Sequence, residues 1–327
     1  MQAFVMSSYG SPDLGRITEV ERPVPAAGEA LVRVRATSVN PYDWHFLRGE
    51  PRVARLMPGM GLRRPRYPVL GCDMAGTVET VGEGVTRFRP GDEVFALLPS
   101  GGFAEYVTVA ERLLAAKPAN LSHQQAAAVP MAAVTALVAL RDSGRIQPGW
   151  QVLVNGASGG VGTFAVQLAL AFGAEVVGVC HKNNVELVRS LGAAEVVDYT
   201  SEDFTRHDRR FDILLDVSGR RWVGACRRLL AAKGTFVLVG GPAGRWLQPA
   251  GHAFGSVAMA PLVGRRASLA EARAYTGEQH NLLALNEFIE DGKVTPVIDR
   301  CYPFDEIRTA IEYQEAGHAR GKVVVAM

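Results

Sequence analysis

The stretch VNGASGGVGTFAVQLALAFGAEVVGVCHKNN, residues 154–184, restricts the fold of this chain more than any other. The valine-rich run QVLVN ends directly in Gly156-Ala157-Ser158-Gly159-Gly160-Val161-Gly162, and an apolar run follows. Counted from Ala157, the turn is a GxGxxG pattern with alanine in first place. Gly159 removes the side chain that would hold backbone N–H groups away from a pyrophosphate. Gly162 lets a helix pack closely on a sheet, and the helix N-terminus adds partial positive charge. Glycine clusters are usually plain turns, but this one stands between a strand and a helix, the context that dinucleotide binding requires.

From residue 151 onward strands and helices alternate. QVLVN, a helix over 160–172, EVVGVC, a helix near 184–191, EVVDY, FDILLDV, a helix near 220–231 and GTFVLVG follow one another. That rhythm predicts a parallel sheet with crossover helices. Val161, Phe164, Leu168 and Phe172 give the first helix one apolar face, and Gly173 ends it. The tail carries a polar helix near 269–291, the segment TPVID, a short helix over 304–316 and a closing KVVVAM strand.

Residues 1–121 read differently. EALVRVRATSV, GTVETVG, DEVFALL and FAEYVTV are short alternating runs separated by turn signals such as VGEGV, RPGD and PSGG. Period-two alternation of this kind predicts a β-rich unit with one wet face. HQQAAAVPMAAVTALVAL has the composition of a buried helix, which Pro130 should break or kink. The expected fold is therefore α/β, a Rossmann-type doubly wound parallel sheet joined to a β-rich domain.

Composition narrows the function classes. The chain has 327 residues and a formal net charge of +2, too little to argue for nucleic acid. Cys72, Cys180, Cys226 and Cys301 form no CxxC pair, which argues against a disulfide framework or a four-cysteine zinc site. MQAFVMSSYG lacks a leader pattern, and no apolar run approaches the roughly 20 residues of a membrane span. A cytoplasmic protein without a membrane span is expected.

The strand EVVGVC finishes in His181, Lys182, Asn183 and Asn184. An acidic residue there would grip both ribose hydroxyls of NAD and repel a 2′-phosphate. A cation among neutral donors favours the phosphate, so NADPH is the expected cofactor. The opposing reading takes Lys182 as a solvated loop charge.

ATSVNPYDWHFLRGEP, PVLGCDMAGTVETVGEGVTRFRPGDEVFALLPSGGFAEY, NGASGGVG with FGAEVVGVC, and GHARGKVVV run in order through the chain. In these motifs it resembles the medium-chain dehydrogenase/reductase superfamily, in its zinc-free quinone-oxidoreductase branch. The resemblance implies a GroES-like catalytic domain over 1–121, completed by 292–327, and a Rossmann NADPH-binding domain over 122–291. It also implies an oxidoreductase, as a homodimer. Zinc alcohol dehydrogenases of the superfamily place a cysteine where this chain has Asn40, and a histidine and glutamate where it has Cys72 and Asp73. Three zinc ligands are thus not assembled, and no metal is expected.

In similar reductases the residue matching Asn40 lies beside the nicotinamide, and Thr135 lies under the same ring. The turn Val239-Gly240-Gly241 is placed for the carboxamide. Ser158, Gly159, Gly160, Val161 and Gly162 would hold the pyrophosphate, with Tyr199 near the adenosine phosphate and Lys322 approaching the cofactor from the tail. Tyr42 and His45, flanking Asp43, are candidate proton donors, with packing as the alternative role for both. Asp43 is expected to pin its own loop, together with Arg48.

Without a Lewis acid, the easier hydride acceptors are electron-poor π-systems such as quinones and enones. Residues 50–67 and 242–266 mix apolar side chains with arginines, and by resemblance both rim the substrate cleft, which suits a hydrophobic small-molecule substrate. Part of the second segment, near GSVAMA, pairs across a dimer in similar proteins. Two other readings stand beside the quinone or enone reductase: an enoyl reductase working on carrier-bound acyl thioesters, and a non-enzymatic NADPH-binding protein.

Overall fold

The computed structural model describes residues 1–56, 60–219, 221, 223–241, 255, 257–258, 266–269 and 279–327. Most of the apolar-basic segment 242–266, and residues 57–59 of the first such loop, lie outside the described residues. So does half of the stretch GSVAMA, residues 255–260, expected to pair across a dimer.

In chain order, the strands of the N-terminal part are β1 (Gln2–Val5), β2 (Arg16–Glu19), β3 (Glu29–Val39), β4 (Asp73–Val81), β5 (Glu93–Leu97), β6 (Tyr106–Ala110) and β7 (Leu114–Ala116). Next come β8 (Gln151–Asn155), β9 (Glu175–Cys180), β10 (Glu195–Asp198), β11 (Phe211–Asp216), β12 (Leu230–Leu238) and β13 (Arg266–Leu269). The last two are β14 (Ile298–Pro303) and β15 (Lys322–Ala326). The chain divides into two compact units: Met1–Met131 with Gly277–Glu290 and Pro296–Met327, and Ala132–Thr276 with Asp291–Thr295.

In the first unit β14, β15, β3, β4, β5 and β7 lie side by side, and β6 pairs with β3. Strand β15 runs antiparallel to β3, with Val323 opposite Val39 and Val324 opposite Ser38. The C-terminal strand thereby reaches the end of β3 where Asn40 follows. Gly321, just before β15, lets the chain close on the segment ahead of β14: its φ is +94°, and a Cβ there would lie 2.3 Å from the Val297 carbonyl oxygen. Phe4, Leu47, Phe103, Ile307, Ile311 and Val325 fill one core of this unit, and Val32, Met74, Val94 and Val109 fill another. The helix His123–Ala127 lies against β3 and β4, and the side-chain amides of Asn120 and Asn286 tie the helix His280–Glu290 to this unit. Pro130 opens a new helix, Pro130–Val138, because proline at the first helical position has no N–H to leave unpaired.

The second unit is an all-parallel sheet in the order β10-β9-β8-β11-β12-β13, the doubly wound order of dinucleotide-binding folds. Strand order reverses between β8 and β11, where Asn155 and Asp216 are register partners at the carboxyl ends. Three differences from the sequence reading stand out. The helix Gly160–Ala171 is buried from Gly162 to Ala169, Thr163 and Gln167 included, rather than on one face. Gln167 supports this through its amide, which donates to the Thr295 carbonyl at 3.0 Å and accepts from the Thr295 N–H at 2.8 Å. Near 220–231 only Val223–Cys226 is α-helical among the described residues, and β12 begins at Leu230. Finally, β13 supplies a sixth strand in a stretch read as loop and helix.

Candidate active site and nucleotide turn

Four elements of the first unit meet in a buried polar cluster. Asp73, at the start of β4, is fully buried and accepts from the Ser38 hydroxyl, Asn40 Nδ2 at 2.9 Å, the Met131 N–H at 2.7 Å and Lys322 Nζ at 3.1 Å. Lys322 also donates to Asn40 Oδ1. The side-chain amide of Asn40 is thus engaged at both ends, which fixes its orientation. A buried carboxylate with this many donors is fully compensated, and the ammonium brings the formal charge of the pair to zero.

Asp43 extends the cluster. It accepts from the Asn40 N–H at 2.8 Å and the Gly71 N–H at 3.2 Å, so it pins the entry of the helix Pro41–Arg48 to the loop before β4. Arg48 is not its partner: that guanidinium forms a bidentate pair with Glu315. Burial pushes the Asp43 carboxyl up to about 7, with nearby Asp73 adding to the rise and hydrogen bonding from Asn40 opposing it. Burial also raises the Cys72 thiol, beside Asp43 and Asp73.

Tyr42 and His45 lie one helical turn apart on the same helix. The Tyr42 ring stacks on Phe46 with centroids 4.1 Å apart, and burial raises the phenol's pKa well above its ordinary value. His45 stacks on Trp44 at 3.7 Å, burial lowers its pKa, and its Nδ1 is buried without a hydrogen-bond partner among the described residues.

In the second unit the glycine turn follows β8 directly. Gly156 has φ +91°, and a Cβ on Gly162 would lie 2.0 Å from the Gly156 carbonyl oxygen, so both glycines are demanded by the turn itself. A Cβ on Gly159 would meet nothing closer than 3.5 Å. That position is open toward an incoming group, as a pyrophosphate cradle needs. Gly160 and Val161 begin the 12-residue helix, with Ser158 and Gly159 just ahead of it.

At the end of β9, His181 accepts from the Asn183 N–H through Nδ1, Lys182 is exposed, and Asn184 donates to Ser158 Oγ at 3.0 Å. That last bond joins the turn after β9 to the glycine turn. Tyr199 is 55% exposed and meets the His181 ring edge-on at 5.9 Å. Thr135 is buried in the same unit, and Val239, Gly240 and Gly241 follow β12 at the carboxyl edge of the sheet. The residues thus fit a dinucleotide cofactor.

The fit to zinc is poor. Among the described residues no group of three or more His, Cys, Asp or Glu side chains is placed to hold a metal ion. A tethered ammonium already sits between Asn40 and Asp73. The sequence reading passed over Ser38 and Asp73 as site residues. A lone aspartate in the apolar run before AGTV was the available signal.

A parallel sheet with its order reversed at a glycine turn, in one chain with a separate antiparallel β unit, is an architecture suited to a nicotinamide-dependent oxidoreductase. The comparisons place it further. Residues 26–119 match the alcohol dehydrogenase GroES-like domain family and 191–325 the zinc-binding dehydrogenase family. At 36% identity, 99% of this chain aligns with 89% of NAD(P)H oxidoreductase RTN4IP1, mitochondrial, of Mus musculus. The chloroplast envelope quinone oxidoreductase homolog of Arabidopsis thaliana is 31% identical over 99% of this chain and 98% of its own. The NADPH-dependent alkenal/one oxidoreductase, chloroplastic, of the same plant is 32% identical over 99% and 79%.

Among solved structures, the quinone oxidoreductase from Coxiella burnetii superposes with TM-score 0.87 at 29% identity over 100% of this chain and 99% of that one. CurK enoyl reductase gives TM-score 0.87 at 26% identity over 100% and 99%. The chain belongs to the medium-chain dehydrogenase/reductase superfamily, in its quinone-oxidoreductase-like branch, and it is an NAD(P)H-dependent oxidoreductase. No helix among the described residues is long and apolar enough to cross a membrane.

Proposed function

We propose that this protein is an NADPH-dependent reductase that passes hydride to a quinone or an α,β-unsaturated carbonyl without zinc. The GroES-like part serves the acceptor, and the Rossmann part holds the nucleotide. The observation that carries the reading is the ammonium of Lys322 seated on Asn40 and Asp73. A divalent cation at the same carboxylate would face this fixed positive charge, and Asn40 offers only a weak amide oxygen. Acceptors that need no Lewis acid are then favoured, because a quinone or enone is already electron-poor at the carbon or oxygen that takes the hydride.

Bound NADPH supplies the hydride, and the protein's own residues bind, orient and protonate. Asn40 and Lys322 form the fixed polar wall. Tyr42 and His45 are the candidate proton donors on the same helix; burial keeps the Tyr42 phenol neutral and opposes loss of its proton, so donation from it needs the charge developing on the reduced acceptor to draw the proton. Lys182, with His181 and Asn184 beside it, would hold the 2′-phosphate, which an acid at the end of β9 would repel, while Ser158, bonded to Asn184, stays with the pyrophosphate turn. The reading includes a cytoplasmic homodimer.

The test is oxidation of NADPH and NADH against quinones, enones and enoyl thioesters, with metal content measured on the same sample. Turnover of quinones or enones with NADPH, at substoichiometric zinc, is the expected result. Activity confined to thioesters would select the second reading, an enoyl reductase, which the likeness to CurK enoyl reductase supports. Tight NADPH binding with no turnover across the panel, or zinc at one ion per chain, would overturn the proposal.

A further inference from the structure

Asp216 is a second buried carboxylate, at the carboxyl end of β11, and unlike Asp73 it has no lysine partner among the described residues. Its Oδ1 accepts from Asn155 Nδ2 at 2.7 Å, the Gly219 N–H at 3.0 Å and the Ser218 hydroxyl at 3.1 Å; Oδ2 accepts from the Arg221 N–H at 3.4 Å. Its own carbonyl accepts from the Val239 N–H at 3.0 Å and the Gly240 N–H at 3.5 Å. Asn155, which opens the glycine turn, in turn accepts from the Val217 and Ser218 N–H groups at 3.0 and 3.3 Å. One residue therefore holds three chain turns, those after β8, β11 and β12, all at the edge where strand order reverses.

The last two turns also interlock without room to spare. Gly219 has φ +63°, and a Cβ there would lie 2.1 Å from the Gly240 carbonyl oxygen and 2.3 Å from the Gly241 nitrogen. A Cβ on Gly240 would lie 2.2 Å from the Val217 carbonyl oxygen. The backbone of 239–241 can keep its place only while 217–219 keeps its own, and 217–219 is shaped by the Asp216 carboxylate. Four backbone or side-chain donors converging on one buried acceptor form a rigid support rather than a solvated loop end.

We propose that Asp216 is the positioning residue for the nicotinamide end of the cofactor: it fixes Val239–Gly241 against the glycine turn, so that the carboxamide meets a preset backbone. This rests on the reading of Val239–Gly241 as the carboxamide contact. Asp216 touches no cofactor atom in this account and acts through the turns it holds.

The experiment compares binding of NADPH with binding of 2′-phospho-ADP-ribose, which lacks the nicotinamide, by calorimetry on the full chain. In Asp216→Ala the dissociation constant for NADPH should rise at least tenfold, and that for 2′-phospho-ADP-ribose by a clearly smaller factor, since of the turns the carboxylate braces only the glycine turn, through Asn155, serves that ligand. Asp216→Asn keeps an Oδ1 that can accept from the same three donors, and it should restore most of the NADPH affinity. Gly219→Ala disturbs the interlock from the other side and should give the same selective loss; it decides the matter alone if the alanine variant at 216 does not fold. Equal weakening of both ligands, or no weakening of NADPH, would overturn the proposal. If the native protein bound neither ligand, the nucleotide reading of the glycine turn would itself fall.

Discussion

The ammonium of Lys322 lies 3.1 Å from a carboxylate oxygen of Asp73, with the two side chains 3% and 0% exposed. Both are out of water, so each depends on the other. Removing one member of such a pair leaves an uncompensated buried charge, at a cost of about 3–5 kcal/mol. Lys322→Met should lower the urea-denaturation free energy by that amount. The double variant Lys322→Met with Asp73→Asn should recover at least about 1 kcal/mol of it, since an amide oxygen can still accept from Ser38 or Met131. A double variant no more stable than the single one would show that the pair contributes nothing as a pair.

Asp43 sets a pH dependence of definite sign. Its folded value is raised to about 7 from 3.8, so the folded state holds a proton that the unfolded chain has released, and stability from this group falls as pH rises through 7. Between pH 5.5 and 8.0 the loss is about 2 kcal/mol, at about 1.4 kcal/mol per pH unit up to the folded value. Burial lowers His45 and His123, which act the other way, raising stability with pH up to the ordinary histidine value. The clean observable is therefore the difference between native protein and Asp43→Asn, which should narrow by about 2 kcal/mol from pH 5.5 to 8.0.

Two glycines of one turn should respond differently to alanine. Gly162→Ala puts a methyl 2.0 Å from the Gly156 carbonyl oxygen, so the turn must move, and both stability and NADPH binding should drop. Gly159→Ala has 3.5 Å of clearance inside the protein and should melt within a few degrees of native. It should nonetheless bind NADPH at least tenfold more weakly, because the methyl fills the space meant for phosphate. Differential scanning fluorimetry with and without NADPH separates the two outcomes.

Replacing His181 and Lys182 by aspartate and glutamate should reverse cofactor preference. The ratio of kcat/KM for NADPH to that for NADH should fall at least tenfold, mostly through KM for NADPH. An unchanged ratio would remove Lys182 from the phosphate site.

Much of the second unit was legible because its signals are local. QVLVN and EVVGVC are strands with those same bounds, since apolar runs flanked by a glycine turn and a helix leave little choice. The cluster around Asp73 was hidden for the opposite reason. Asn40 and Lys322 were named from the sequence, but the partners that join them come from β3, β4 and the start of the helix Pro130–Val138, far apart in the chain, and one of them is only the backbone N–H of Met131. Asp216 was read as part of the strand FDILLDV; nothing in that run says that three turns converge on its carboxylate. The helix expected near 220–231 is present but shorter: Val223–Cys226 is α-helical and Arg227–Leu229 a 3-10 turn, and β12 starts at Leu230, so strand pairing claims the last residues that composition alone gives to a helix.

The partners Lys322 and Asp73 are 249 positions apart in the chain. During synthesis at roughly 5–20 residues per second, the carboxylate must wait from about ten seconds to most of a minute before its lysine leaves the ribosome. Strand β3 waits longer still for β15, its neighbour along one edge. The first unit cannot close its sheet or neutralise that acid until the nucleotide fold has been made behind it, and an unpaired strand edge is open to pairing with another chain during that interval.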